Sequence, residues 1–332
     1  MAMPDSADPA VVADPPALFV RLLGIADRVF GGGQIAMPAA LRIAGGLLPA
    51  IIMIGVLAWG LALLFWYSIH SYDAFADQSG PLSPIEYATL LWAKGAGFYR
   101  TILIRTVLLS LLTTLAALVL AIPVATLIIR TRSNLLRITG LTLCLVPFLM
   151  GDIVRAFGWL ILLGREGLYG WLSQSLGLGQ RTLIGSALGI WLGSLQTIVP
   201  VAALILLPAV RRIDPDLEQA AATLGAARWR CFVLVNLPLM APGLVSAGIV
   251  AFALTMTQYA IPDILGGGLL PFAANTIQNV FFTEGNIYLG SALAVVTLAV
   301  VLLTAMVFAL GLGLLRRWRA GVQRRQAVEI AL

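Results

Sequence analysis

Charged side chains are scarce in this chain, since Asp, Glu, Lys and Arg make up only 11% of its 332 residues. Soluble domains carry about 25%, so this scarcity excludes an ordinary soluble protein. The chain has one histidine, His70, and two cysteines, Cys144 and Cys231. That supply cannot build a zinc site, and the topology below separates the two cysteines, so we expect neither a metal centre nor a disulfide.

Long apolar runs take the place of charge, and 60% of the residues are hydrophobic. Crossing a bilayer takes about 20 apolar residues. Six stretches are long enough: 45–67, 102–129, 138–163, 183–210, 239–261 and 289–315. They predict helices, because backbone groups in lipid must bond within their own segment, and the alternation of barrel strands is absent. We therefore expect an all-α integral membrane protein with six transmembrane helices.

This prediction divides the chain into an N-terminal segment at 1–43, a transmembrane domain at 44–315 and a basic tail at 316–332. Within 1–43, residues 17–30 have the apolar spacing of a helix lying in the membrane surface. Most of the 21 basic residues then fall on one side of the membrane. The excess of positive charge marks that side as cytoplasmic. We expect a multi-pass protein of a bacterial inner membrane with both termini inside. Its net charge of +6 reflects arginines near anionic lipid rather than nucleic-acid binding.

The loop between the fourth and fifth predicted helices, residues 211–238, is unusually polar and well capped. Asp214 is a good N-cap, Pro215 suits the first helical position, and Gly225 suits a left-handed residue after the helix end. These residues predict a helix of about ten residues, followed by a second helix that enters the membrane through Pro238 and Pro242 with kinks.

This loop resembles the cytoplasmic loop of permease subunits of binding-protein-dependent ABC importers. The family pattern is Glu-Ala-Ala, three residues, Gly, nine residues, Ile, one residue and Leu-Pro. This chain has Gln219-Ala220-Ala221, then Gly225, then Val235-Asn236-Leu237-Pro238, with matching spacing and glutamine in place of glutamate. The resemblance implies a coupling helix that docks into a cleft of an ABC ATPase. The candidate coupling residues are Asp214, Glu218, Gln219, Ala220, Ala221, Gly225 and Pro238.

The resemblance extends over most of the chain and is greatest to the first permease of spermidine/putrescine-type importers. The segments that carry it are Tyr99-Arg100-Thr101, Val146-Pro147-Phe148, Val154-Arg155 with Trp159, 168–179 and 252–267. It implies transport of a polyamine or related organic cation, or, in the same class, of a phosphonate, another small organic compound or an inorganic ion. It also implies three kinds of partner: an ATPase dimer that uses ATP and Mg, a second permease, and an extracytoplasmic solute-binding protein. No cofactor is expected on this chain itself.

Polar residues inside predicted membrane helices are candidates for a substrate pathway. Asp152 and Arg155 lie three residues apart in the outer half of the third helix, where they could instead simply pair with each other. The other candidates are Gln196, Thr255, Gln258 and Tyr259. These side chains could line a transient cavity or only bond neighbouring helices.

Two other classes of function compete with a transport subunit. A membrane enzyme would need clustered catalytic groups, whereas Asp214, Asp216 and Glu218 are explained by helix capping. A channel would leave the capped loop unexplained. The chain also has no ATPase site, because Gly266-Gly267-Gly268 lacks the Lys-Ser/Thr of a phosphate-binding loop. Co-purification with an ATPase would separate the transporter from both rivals.

Overall fold

The computed structural model describes residues 39–73, 78–92 and 96–331. The predicted surface helix at 17–30 lies outside these residues. The chain divides into two compact units, 1–62 and 63–332, and the first is described only from residue 39 onward.

Apart from a two-stranded hairpin, the regular secondary structure of the described residues is helical. The first elements are α1 (Ala39–Ser68), strands β1 (His70–Asp73) and β2 (Gln78–Leu82), α2 (Ile85–Leu91), α3 (Ala96–Arg130), α4 (Asn134–Leu149), α5 (Asp152–Leu163) and α6 (Leu168–Ser175). They are followed by α7 (Ala187–Arg211), α8 (Pro215–Thr223), α9 (Arg228–Cys231), a π-helical turn (Phe232–Asn236), α10 (Leu237–Met256), α11 (Ala260–Gly266), α12 (Ala273–Gln278), a second π-helical turn (Asn279–Thr283) and α13 (Ile287–Ala331). The strands pair antiparallel.

Among the described residues, five helical segments are long and apolar enough to cross a membrane, namely those within α1, α3, α7, the continuous run of α9 to α10, and α13. A sixth candidate is a bent pair, in which α4 and the α5–α6 segment meet at 102°. The prediction of one continuous helix over 138–163 is therefore wrong. The break falls at Met150 and Gly151, which both adopt extended backbone angles.

Two further boundaries differ from the prediction. The fifth helix was expected to reach residue 261, but α10 ends at Met256 and a separate α11 begins at Ala260. Thr257, Gln258 and Tyr259 thus lie in a break rather than in a helix. The second helix was expected to begin at residue 102, but α3 begins at Ala96, after the hairpin and α2.

Small residues bring the three central helices together. Ala117, Ala121 and Ala125 lie four residues apart on α3 and are fully buried, with α7 and α10 packed against them. Lipid tails are as apolar as leucine, so burying leucine gives membrane helices no hydrophobic reason to associate. They associate through faces of small residues, which let the two backbones pack closely. Gly243 of α10 shows how close the approach is, since a Cβ there would lie 2.4 Å from Ala209 Cβ on α7.

Candidate functional site

Helix α8 forms where the sequence predicts it, with both ends capped. The Asp214 carboxylate Oδ1 accepts a hydrogen bond of 3.0 Å from the backbone N–H of Asp216, and Pro215 occupies the first turn. At the other end Gly225 has φ +77°, and the N–H of Ala226 reaches back 3.0 Å to the carbonyl of Ala221. This is a glycine-terminated Schellman motif, which satisfies the last carbonyl groups of the helix.

The outward side of α8 carries an uncovered apolar stripe. Leu217, Ala220, Ala221 and Leu224 have the spacing i, i+3, i+4, i+7 and share one face. Leu217 is 45% exposed and Leu224 is 88% exposed. We call these four residues the outward stripe. Apolar side chains grouped on the exposed face of a loop helix are typical of a surface that another molecule covers.

The opposite side of α8 is held by one carboxylate. Glu218 Oε2 accepts a hydrogen bond of 2.5 Å from Arg130 Nη1, at the end of α3. Its other oxygen, Oε1, accepts a hydrogen bond of 2.5 Å from Asn236 Nδ2, at the end of the first π-helical turn. A carboxylate only accepts hydrogen bonds, so the amide nitrogen of Asn236 must face it.

These contacts also set the charge state of Glu218. The hydrogen bond from the Arg130 guanidinium lowers the pKa of Glu218, partial burial opposes this, and the bond from Asn236 lowers it further. The net effect holds the pKa below its ordinary value, so Glu218 is ionised at neutral pH.

A pocket of about 540 Å³ lies beside this ion pair. It is lined by Arg130 and Asn236, by Glu218 and Ala222 of α8, and by Arg228 at the start of α9, among others. The Oδ1 atom of Asn236 is buried and has no hydrogen-bond partner among the described residues. A buried polar atom without a partner is uncommon in native proteins and calls for an explanation.

The π-helical turn before Asn236 has a cause in the sequence. Pro238 has no N–H to give to the carbonyl four residues earlier, and its ring crowds that carbonyl. The hydrogen-bond spacing of the helix widens at this point from four residues to five, and the N–H of Leu237 donates to the carbonyl of Phe232. The kink predicted at Pro238 thus takes the form of a widened turn, whereas Pro242 lies within the continuous α10.

Among the predicted coupling residues, the structure separates inward from outward ones. Glu218 faces the α3 and α10 ends, Ala220 and Ala221 lie in the outward stripe, and Gln219 is exposed. Sequence reasoning missed Arg130 and Asn236. Asn236 carried a usable signal, because it is the polar residue in an apolar run that enters the membrane.

The predicted pair of Asp152 and Arg155 forms at the bend between α4 and α5. Arg155 Nη2 donates to Asp152 Oδ1, and Arg155 Nη1 donates 2.6 Å to the carbonyl of Pro147 on α4. The break takes away the helical N–H that this carbonyl would otherwise accept. Arg155 therefore stabilises the bend between α4 and α5. Its side chain is 6% exposed, whereas that of Asp152 is 63% exposed.

The remaining pathway candidates make separate local contacts. Gln258 Oε1 accepts 2.7 Å from Ser194 Oγ, and Gln196 Oε1 accepts 3.4 Å from Trp159 Nε1, so both glutamines connect α7 to neighbouring segments. Thr255 donates 2.8 Å to the carbonyl of Ala251 in its own helix. Tyr259 is partly exposed, and its carbonyl accepts 3.1 Å from Asn275 Nδ2. A role of these residues in solute passage stays a prediction.

Among the residues that the structure describes, no group of three His, Cys, Asp or Glu side chains could hold a metal ion.

Similarity to known proteins agrees with this architecture. Residues 117–320 match the family described as binding-protein-dependent transport system inner membrane component. The chain is 29% identical to the inner membrane ABC transporter permease protein YdcU of Escherichia coli (strain K12) over 271 residues, which are 77% of this chain and 85% of that protein. It is 26% identical to the spermidine/putrescine transport system permease protein PotB of the same organism over 234 residues, 70% of this chain and 82% of that protein.

A solved structure shares the fold. A bacterial ABC transporter involved in the import of the acidic polysaccharide alginate contains a chain that matches with a TM-score of 0.64 at 15% identity, covering 87% of this chain and 97% of that one. The family match includes Arg130 at the end of α3, the whole of α8 and Asn236, which together build the site. The chain therefore belongs to the family of binding-protein-dependent transport system inner membrane components, and it is a permease subunit of an ABC importer.

Proposed function

We propose that this permease subunit receives mechanical work from a separate ATPase through α8 and uses it to move a small organic cation across the inner membrane. The observation that carries the proposal is the outward stripe. It lies on a rigid, doubly capped helix whose other side is fixed to α3 and α10.

The stripe has the form of a helix-in-groove ligand. Such helices present apolar anchors at i, i+3, i+4 and i+7 to a hydrophobic groove. Here two leucines flank two alanines, so a groove wall can approach the middle of the helix closely. With nine residues, α8 is about 13 Å long, a length that fits within one groove.

The charge distribution supports a cytoplasmic position for α8. Arg130, Arg211 and Arg228 end or begin helices at the same end of the bundle as α8. Basic residues accumulate on the cytoplasmic side. The ATPase would then meet α8 inside the cell, and both termini of this chain would be cytoplasmic if the bent α4–α6 segment serves as a sixth span.

The family description names a binding protein, and we extend this to a complete assembly. It comprises an ATPase dimer, this chain, a second permease that completes the pathway and an extracytoplasmic binding protein at the end opposite α8. Closure of the ATPase pair on ATP would draw the two coupling helices together. The central helices would move with them and open the pathway toward the binding protein, as in alternating access.

Similarity to the spermidine/putrescine permease supports an organic cation as the solute. The exposed acids Asp263 and Glu284, at the end opposite α8, agree with a cation. A thermal-shift screen of the partner binding protein against polyamines, phosphonates, other small organic solutes and inorganic ions tests this choice. Stabilisation by a polyamine alone supports it, and stabilisation by an anion alone contradicts it.

Docking is tested by removing the leucines of the stripe. Leu217→Ala combined with Leu224→Ala should weaken association with the co-expressed ATPase, by about 1.5–3 kcal/mol for each leucine that the partner buries. Leu135→Ala is the matched control, because Leu135 is a similarly exposed leucine at the start of α4, outside the stripe. Equal co-purification of the ATPase with the double variant and the control would contradict the proposal.

A further inference from the structure

We propose that Arg130, Glu218 and Asn236 form a clamp that converts displacement of α8 into movement of α3 and α10, so that they are positioning residues for transport. The proposal rests on the docking function proposed above and specifies how the docked helix passes its motion into the membrane.

The geometry of the clamp fixes α8 in two directions. The two oxygens of one carboxylate accept hydrogen bonds of 2.5 Å from two different elements, from Arg130 on α3 and from Asn236 in the π-helical turn that precedes α10. Rotation or sliding of α8 relative to either element strains one of these bonds and, beyond the reach of the glutamate side chain, breaks it. Two divergent bonds to one carboxylate restrict the pivoting of α8 more than a single hydrogen bond would.

The clamp connects to the elements that a transport cycle must move. Arg130 is the last residue of α3, and Asn236 directly precedes α10. Both helices pack against α7 through the buried alanine faces, so a displacement that enters at the clamp reaches the middle of the bundle. At its far end α10 leads to Gln258, which is bonded to Ser194 of α7.

The position of the clamp is consistent with a part that moves. The side chains of Arg130 and Glu218 are 30% and 29% exposed, so their ion pair is partly buried. Asn236 closes a π-helical turn, a widened turn that is frequent at functional sites. Asn236 lines the pocket beside the clamp, and its Oδ1 is buried without a partner, so a change of register could give that atom one.

The test separates docking from transmission in the reconstituted full assembly. Glu218→Gln and Arg130→Gln each remove one charge, and the exchange Arg130→Glu with Glu218→Arg restores the pair in reverse. Asp216→Asn is the matched control, because Asp216 is an acid of the same helix with no ion pair among the described residues. ATPase co-purification, ATP hydrolysis and solute uptake are measured for each variant.

The single variants should keep the ATPase bound and hydrolysing while uptake per ATP falls at least tenfold. The exchanged pair should recover most of that loss, and the control should match the wild type. Wild-type uptake in both single variants overturns the proposal, as does failure of the exchange to restore uptake. Loss of ATPase binding in the single variants also overturns it, because the clamp would then only build the docking surface. An ATPase that does not bind the unmodified chain would instead refute the proposed function itself.

Discussion

The contacts of Arg155 set the loss of stability that its replacement should cause. Arg155→Leu removes the hydrogen bond to the Pro147 carbonyl and the contact with Asp152. A hydrogen bond to a charged group contributes about 1.5–3 kcal/mol. The contact with Asp152 adds little, because that carboxylate is 63% exposed. We therefore expect a loss of about 2 kcal/mol, which comes almost entirely from the Pro147 carbonyl.

Graded substitutions follow from this division. Arg155→Leu should lower the unfolding temperature of the purified assembly by roughly 4–8 °C. Arg155→Lys should have an intermediate effect, since lysine keeps the charge but cannot place two donors in a planar fork. Asp152→Asn should change the temperature by about 1 °C or less, because an exposed partner contributes little.

The assay is a thermal unfolding scan, with solute uptake measured on the same preparations. Two results would refute the reasoning. One is an Asp152→Asn variant as unstable as Arg155→Leu. The other is an Arg155→Leu variant with unchanged stability and lost uptake, which would make Arg155 a pathway residue rather than a fastening of the α4–α5 bend.

Three further predictions concern backbone geometry, close packing and pH. Gly225→Val places a β-branched residue at φ +77°, so we expect the variant to lose about 1–2 kcal/mol of stability and a clear part of its uptake. Gly225→Asn should be tolerated better, because asparagine adopts left-handed backbone angles more readily. Equal uptake in the two variants would count against the helix cap. Gly243→Ala should destabilise the bundle by about 1–3 kcal/mol, and the added Ala209→Gly should restore it, as judged by thermal unfolding; an unaffected single variant would mean that α7 and α10 are not in close contact. Because the folded-state pKa of Glu218 is lowered, chiefly by Arg130, the clamp contributes fully at neutral pH and is lost as pH falls through the folded pKa. The stability difference between wild type and Glu218→Gln should therefore be constant from about pH 6 to 8 and shrink below about pH 4; a difference that grows on acidification would contradict this.

The elements that sequence reasoning found depend on local signals. Asp214, Pro215 and Gly225 each act within one or two turns, so the ends of α8 were readable from the residues themselves. The apolar stretches were equally readable, because their length and composition alone decide whether a helix can span a bilayer.

The elements that it missed depend on distant partners. The run 138–163 contains Pro147 and Gly151, but neither shows by itself that the helix breaks there. The bend is tolerated because Arg155 satisfies a carbonyl eight residues earlier. The clamp joins Arg130 to Glu218 across 88 residues of chain. The charged contact of α8 within this chain is made by Glu218, which faces inward, whereas Gln219 is exposed and its role in docking stays a prediction.

Docking of α8 onto a separate ATPase subunit is tested most directly by site-specific photo-crosslinking. A photoreactive amino acid at position 224, in the outward stripe, is illuminated in native membranes that contain the full assembly. The same probe at position 135 is the control. We predict a crosslink to the ATPase from 224 whose yield changes on addition of ATP, and none from 135. Crosslinks from 224 only to lipid or to this chain's own helices would contradict the account.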